Sequence, residues 1–429
     1  MEVKNLLVIS HNIIDSSNNV GKTVISLLKK WPSDHIRSIY LRNEVRSTML
    51  CEDTYMITDG DVLKSFFKIK PKKCGRRIGV EERAKSMSGN MDAYRFGNKR
   101  YPIVSLIRDI IWHRKSWKTA TFKEWIQEVK PDLILFVPND YVLAFELANY
   151  VKEETNAPMI TFFTDDSFYY KQKTTLIDSF RRKWLRKVGK DIVSKTSGMI
   201  CASDLMKEEY AKLFSKESIV LGNCVEITPP NSEVGAGKPD TFVLSYIGNL
   251  HSNRWVCIIE IGKCLDRISS EIGEKCVLNV YTASDLGTDI TAKLDALESI
   301  CLKGAVPATE VKSIQEQSDG LVHVEAFDHK SKLSTRLSMS TKIFEYMSRR
   351  VPVFAYGPSD ISSMYFLSSG PFATICSSEK ELYDCLKEYV TDSYSRENIK
   401  DRAYNYARAN FEEDMISSKF IDFANKVIS

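Results

Sequence analysis

Short apolar runs alternate with amphipathic stretches along the first half of the chain: NLLVISHNI, VGKTVISLLKKW and IRSIYLR, then, after a long basic insertion, DLILFVP, VLAFELANYVKEE, PMITFFTDD and GMICAS. Apolar runs bounded by turn residues predict strands buried on both faces. The stretches between them carry helical spacing, and together they give the βαβ rhythm of a parallel sheet covered by helices. Asp204 to Phe214 follows as a helix with Ser203 or Asp204 as N-cap, and SIVLGN closes this half. The polar, turn-rich ITPPNSEVGAGKPD reads as a linker. Beyond it the rhythm restarts with FVLSYIGNL, WVCIIEIGKCLDRI, CVLNVYTAS, CLKGAV, GLVHVEAF, VPVFAYG and FATICSS, and helices from Glu379 onward finish the chain. The expected fold class is α/β, with two Rossmann-like, doubly wound parallel-sheet domains whose ligands sit at the carboxyl ends of the strands, in a crevice between them.

A chain of 429 residues exceeds the size at which one core stops growing, which agrees with two domains. The apolar content of 43% is that of a globular protein, and no apolar run is long enough to cross a bilayer. The N-terminal MEVKNLLVISHNII lacks a basic leader and a small-residue cleavage site, so it reads as the first core strand. Ten scattered cysteines without a CxxC pair favour a reducing cytoplasm, and six dispersed histidines offer no metal-ligand spacing. Net charge is +4, yet Asp61 to Lys130 holds 18 Lys/Arg against 7 Asp/Glu. KSFFKIKPKKCGRR and RRKWLRKVGK interleave cations with apolar residues, so they fit either a solvated basic face or a peripheral contact with the anionic inner face of a plasma membrane. No nucleic-acid-binding motif accompanies the charge.

The segment from His323 to Pro358, HVEAFDHKSKLSTRLSMSTKIFEYMSRRVPVFAYGP, carries the chemistry. Ser338 to Thr341 offer N-cap side chains to a helix marked by Ile343, Phe344 and Met347. A diphosphate can sit where Ser340, Thr341 and Lys342 open that helix, because free N–H groups and the positive dipole end meet there. Glu345 lies one turn on, where a carboxylate can accept from a ribose diol. In the first half, Gly21 and Lys22 open a helix after the first strand. Their GKT is no Walker A motif, since Ser16 stands where the first glycine is required.

STKIFEYMSRRVPVFAYGP, with GAVPATEV, YIGNLHSNRW, TFFTDDS and ICASDLMKEEYAKLF, resembles the GT-B glycosyltransferases of bacterial capsule, O-antigen and other surface polysaccharides, the family 4-like group. The resemblance covers most of the chain. It implies an N-terminal acceptor-binding domain (1–228), a C-terminal nucleotide-sugar-binding domain (229–410), and a last helix (411–429) returning to the first. It also implies a nucleoside-diphosphate sugar as donor, a saccharide or lipid-linked saccharide as acceptor, retention at the anomeric carbon, and neither metal nor cofactor. In YIGNLHSNRW, the loop beginning Gly248, Asn249 stands at the family's usual Arg position and Arg254 where a Lys is expected. Lys342, with Arg336 as runner-up, would replace the missing cation at the leaving diphosphate. Glu345 matches the ribose-binding glutamate. Glu325 matches the sugar-contacting one by its strand end, with an inserted loop between them. Val306 and Pro307 would meet the base, and Gly357 the diphosphate. Asp165 or Asp166, only one of which should face substrate, would serve the acceptor, and Gly21 and Lys22 would border phosphate and acceptor. His323 is expected to be a satisfied core histidine. A nucleotide-sugar epimerase of the same architecture, or a catalytically silent scaffold in a polysaccharide-assembly complex, remain alternatives.

Overall fold

Leu6 to Ile9 are buried throughout, as a strand with helices on both faces must be, and they form β1 (Leu6–Ser10) near the middle of the first sheet. The computed structural model describes residues 4–16, 18–45, 50–51, 53–67, 74–79, 102–166, 175–222, 224–227 and 241–429. The chain divides into two compact units, 1–222 with 416–429, and 223–415. The linker expected at 227–240 falls almost wholly outside the described residues.

The first unit adds β2 (Ile36–Tyr40), β3 (Asp53–Met56), β4 (Arg76–Ile78), β5 (Leu133–Val137), β6 (Met159–Phe163), β7 (Gly198–Cys201) and β8 (Ser218–Val220), in the order β4-β3-β2-β1-β5-β6-β7-β8. Every pairing is parallel except that of the edge strand β4 with β3. The stretch between IRSIYLR and DLILFVP, read as a long basic insertion, therefore contains β3, β4 and the helices Asp59–Phe66, Pro102–His113 and Ala120–Val129. A three-residue strand with two exposed arginines leaves no apolar run to recognise. In the final helix, Glu413–Ile428, the part from 416 belongs to this unit. Phe420 packs on Trp31 with ring centres 5.9 Å apart, and the Ser417 hydroxyl donates to the Leu27 carbonyl at 3.0 Å.

The second unit contains β9 (Thr241–Ile247), β10 (Lys275–Tyr281), β11 (Ile300–Gly304), β12 (Gly320–Val324), β13 (Val353–Tyr356) and β14 (Thr374–Cys376), all parallel, in the order β11-β10-β9-β12-β13-β14. One core joins Leu244, Leu278 and Val322 to Ile258, Ile261 and Leu265 of the helix Arg254–Ile272. Ile343, Phe344 and Met347 of the helix Thr341–Ser348 pack with Ala355 and Met364 in another. Each such side chain, wholly withdrawn from water, contributes about 1.5–3 kcal/mol, so both helices are anchored by their apolar stripes. Successive strands leave β9 toward one edge and, after the crossover to β12, toward the other. The same reversal separates β1 from β5 in the first sheet. At such switch points neighbouring crossovers diverge and leave a crevice at the carboxyl ends of the strands.

Candidate functional site: a cation cluster and a polar pocket at two switch points

In the second unit the switch-point strands end in Gly248, after β9, and Glu325, after β12. Glu325 is 3% exposed, and its carboxylate accepts from Arg254 Nη2 at 2.9 and 3.1 Å and from the Ser363 hydroxyl at 3.4 Å. Arg254, the first residue of its helix, also donates to the Val324 carbonyl at 3.2 Å and to Asn249 Oδ1 at 3.3 Å. Burial pushes the Glu325 carboxyl up, against the downward pull of Arg254. The arginine expected at the leaving diphosphate thus has its charge largely offset within the protein.

Lys342 is different. Its ammonium has no ion pair or hydrogen bond among the described residues, and it lies 5.9 Å from the centre of the Tyr246 ring. A Cβ at Gly248 would stand 2.2 Å from Nζ, so the missing side chain at the end of β9 is what admits the ammonium. Burial, then repulsion from Arg254, lowers its pKa from 10.5 to about 8, despite attraction from Glu345 and Glu325. At neutral pH it is a half-buried, charged donor without a counter-ion bond.

Lys342 also belongs to the first turn of the helix Thr341–Ser348. Ser340 is the N-cap but its side chain makes no capping bond, contrary to the expected capping, so the first N–H groups are not closed off by it. Glu345, one turn on and half-buried, has no side-chain hydrogen bond or ion pair among the described residues. Gly357 follows β13, beside Glu325, whose N–H donates to the Tyr356 carbonyl at 3.0 Å. The Arg336 carbonyl accepts from Ser362 N–H at 2.8 Å, at the start of the short helix that carries Ser363. Val306 and Pro307 follow β11, with β10 between that strand and β9, so they stand toward the sheet edge rather than in the cluster. The inserted loop between Glu325 and Glu345 contains a helix, His329–Thr335, capped by Asp328. His323 is not the satisfied core residue expected. It is 5% exposed, its Nε2 lacks a hydrogen bond, and that atom lies 3.6 Å from Glu325 Oε1. Burial, with Arg254 and Lys342 nearby, lowers its pKa to about 3 and keeps it neutral.

In the first unit, Ser10 at the end of β1 with His11 and Asn12 after it, and the residues after β5 (Pro138 to Tyr141) and β6 (Thr164 to Asp166), border a cavity of about 890 Å³. Asp165 and Asp166 both line it. The alternation that would turn one away applies within a strand, and β6 ends at Phe163. Asp166 accepts from the Tyr210 hydroxyl at 3.0 Å, whereas Asp165 is exposed. The Tyr141 ring forms part of the wall, with Arg108 and Arg181 guanidinium carbons 4.4 and 5.2 Å from its centre. The Asn139 Nδ2 group is buried without a partner. Gly21 does not offer its N–H to a ligand, because that group donates to Asn18 Oδ1 at 2.7 Å. The absent side chain at Gly21 instead admits the backbone of Asp15. Lys22 is exposed, and neither residue lines the cavity. Asn139, Tyr141 and Arg108 were missed in the sequence, although PND directly after the DLILFV strand is the kind of polar strand end that marks a switch point.

No group of three or more potential metal ligands occurs among the described residues. Two doubly wound units, each with polar groups gathered where its sheet reverses, define the GT-B fold class. Its structural neighbours are GT-B glycosyltransferases. HepE of Anabaena, solved with UDP and glucose, superposes with a TM-score of 0.61 at 11% identity, over 99% of this chain and 100% of that one. Trehalose-6-phosphate synthase of Burkholderia multivorans gives 0.62 at 9% identity, over 99% of both chains. Sucrose-phosphate synthase of Thermosynechococcus elongatus gives 0.60 at 11%, again over 99% of both. The sequence itself matches no family model and no curated protein.

Proposed function

We propose that the protein is a metal-independent glycosyltransferase that moves a sugar from a nucleoside-diphosphate donor to a hydroxyl of a saccharide acceptor. The observation that carries this is Lys342: a half-buried ammonium without a counter-ion bond, against the bare end of β9 and in the first turn of a helix. Taking a charge out of water without a partner is costly, so such a group is adapted to an anionic ligand. The neighbours in this fold include HepE, solved in separate complexes with UDP, with UDP and glucose, and with UDP-glucose.

In this reading Lys342 and the open helix start hold the diphosphate, Glu345 the ribose and Glu325 the sugar, while Arg254 holds Glu325 in place. The pocket of the first unit takes the acceptor, with Asp165 the exposed carboxylate for its hydroxyls. The bond from the anomeric carbon to the diphosphate oxygen breaks as the acceptor oxygen bonds to the same face, and the acceptor proton passes to the departing diphosphate. Lys342 stabilises the charge that grows on the leaving group. The acceptor is a lipid-linked saccharide of surface-polysaccharide assembly, which sets the protein to work at the cytoplasmic face of a membrane. Incubation with labelled nucleotide-sugars tests the reading. Transfer, or slow release of free sugar and nucleoside diphosphate, supports it. An isomerised donor would make the protein an epimerase, and absence of any nucleotide binding would make it a scaffold.

A further inference from the structure

The helix Pro102–His113 is apolar on both sides. Its buried face carries Trp112, 1% exposed, with Asp109 fully enclosed and paired to Arg181 at 2.7 Å, while Ile103, Val104, Ile107 and Ile110 on its outer face are each 46–58% exposed. Burial raises the Asp109 carboxyl to about 6 against that pairing, so the helix bears an electrostatic cost on its inner side and leaves its aliphatic side in water. Four aliphatic side chains gathered on one exposed helix face are more than scattered surface residues and mark a contact surface.

The neighbouring helices extend the apolar surface. Asp59–Phe66 packs on Pro102–His113 and exposes Leu63 and Phe66, followed by Phe67 at 65%. Leu176–Ser194 also packs on it and exposes Leu176 at 91% and Phe180 at 61%. Along that last helix the positions after Leu176 and Phe180 on the same face are Lys183, Lys187 and Lys190, all exposed. The acid nearest the apolar end, Asp178, is held by Arg182 at 3.0 Å.

We infer that these three helices form a docking surface for an anionic lipid bilayer, which deepens the membrane contact proposed above while using no residue of the donor cluster. Aliphatic and phenyl side chains enter the headgroup boundary, and the lysine row lies along the negatively charged surface. The lysines argue against a second copy of this chain as the occupant, since a two-fold pairing of this face would bring two cationic rows together. The protein needs no spanning segment for this, and no described helix is long and apolar enough to be one.

Co-sedimentation of the full chain with vesicles tests it, using equal parts phosphatidylcholine and phosphatidylglycerol against phosphatidylcholine alone. The expected result is binding to the mixed vesicles only. Binding should weaken about fivefold for each lysine lost in Lys183→Gln and Lys187→Gln, and disappear in Ile107→Asp combined with Phe180→Asp. These side chains are exposed, so melting temperatures should not change. In a separate Ile107→Trp chain, the indole emission added over that of wild type should shift to the blue on the mixed vesicles and be quenched by lipids brominated on their acyl chains. Wild-type protein that ignores both vesicles overturns the proposal. So does an added emission in the Ile107→Trp chain that vesicles leave unchanged, or a dimer that Ile107→Asp dissolves. Nucleoside-diphosphate binding, measured on the same samples, separates the two readings: a chain that binds nucleotide but no vesicle refutes only the docking surface, and the converse refutes only the transferase.

Discussion

Lys342→Met should make the empty protein more stable and the liganded protein worse. The wild-type ammonium is charged in both folded and unfolded chains at pH 7, but the folded environment lowers its pKa from 10.5 to about 8. Holding that charge therefore costs the native state about 3 kcal/mol. The sign follows from proton counts. Between about pH 8 and 10.5 the unfolded chain keeps a proton that the folded one has released, so wild-type stability climbs through that window and the cost is fully present below it. Methionine removes the charge while filling a similar volume, so the variant should gain up to about 3 kcal/mol at neutral pH and lose the alkaline rise. Exchange of the β9 and β12 amides for deuterium reads the stability of the second unit by itself. Affinity for a nucleoside diphosphate should fall about tenfold to a hundredfold, the loss of one charge-assisted hydrogen bond, as titration calorimetry would record. In wild type, binding near pH 8 should take up protons, giving a heat that varies with the buffer. An unchanged exchange rate together with unchanged affinity would refute the argument that this ammonium awaits an anion.

Gly248→Ala should mimic the loss of Lys342 without its gain in stability, because the new methyl meets the flexible end of the lysine at 2.2 Å and turns it away; calorimetry and a melting curve together check this. Arg254→Ala should destabilise the second unit by about 3–5 kcal/mol, since it strands a buried carboxylate, and Glu325→Gln in the same chain should restore part of the loss in urea unfolding. Gly21→Ala should cost at least about 1–3 kcal/mol, as its Cβ would lie 2.1 Å from the Asp15 carbonyl, and a lowered melting temperature would record it. Loss of ligand binding in this variant without loss of stability would instead restore Gly21 to the site.

Much of the architecture was legible in the chain because its signals are local. A run such as LLVIS or LILFV needs only its own residues to declare a strand buried on both faces, and Ser340-Thr341-Lys342 ahead of Ile343 and Phe344 declares a helix start. The same locality exposed Glu325, Gly248 and Lys342 as strand-end or helix-start residues. Where the apolar run was only a few residues long, as at β3 and β4, the signal fell below what one sequence can carry.

The sequence by itself thus determined two βα-alternating halves and the polar residues at their strand ends. The tertiary structure alone decided which of those residues meet. Arg254 and Glu325 are 71 positions apart, and their pairing, which leaves Lys342 as the cation without a counter-ion bond, depends on β9 and β12 lying side by side at the reversal of the sheet. The outward face of Pro102–His113 was equally invisible, because periodicity marks an apolar stripe without saying whether the protein or its surroundings will cover it. Strand order and helix docking arise from contacts between distant segments, and these are settled only when the chain is packed.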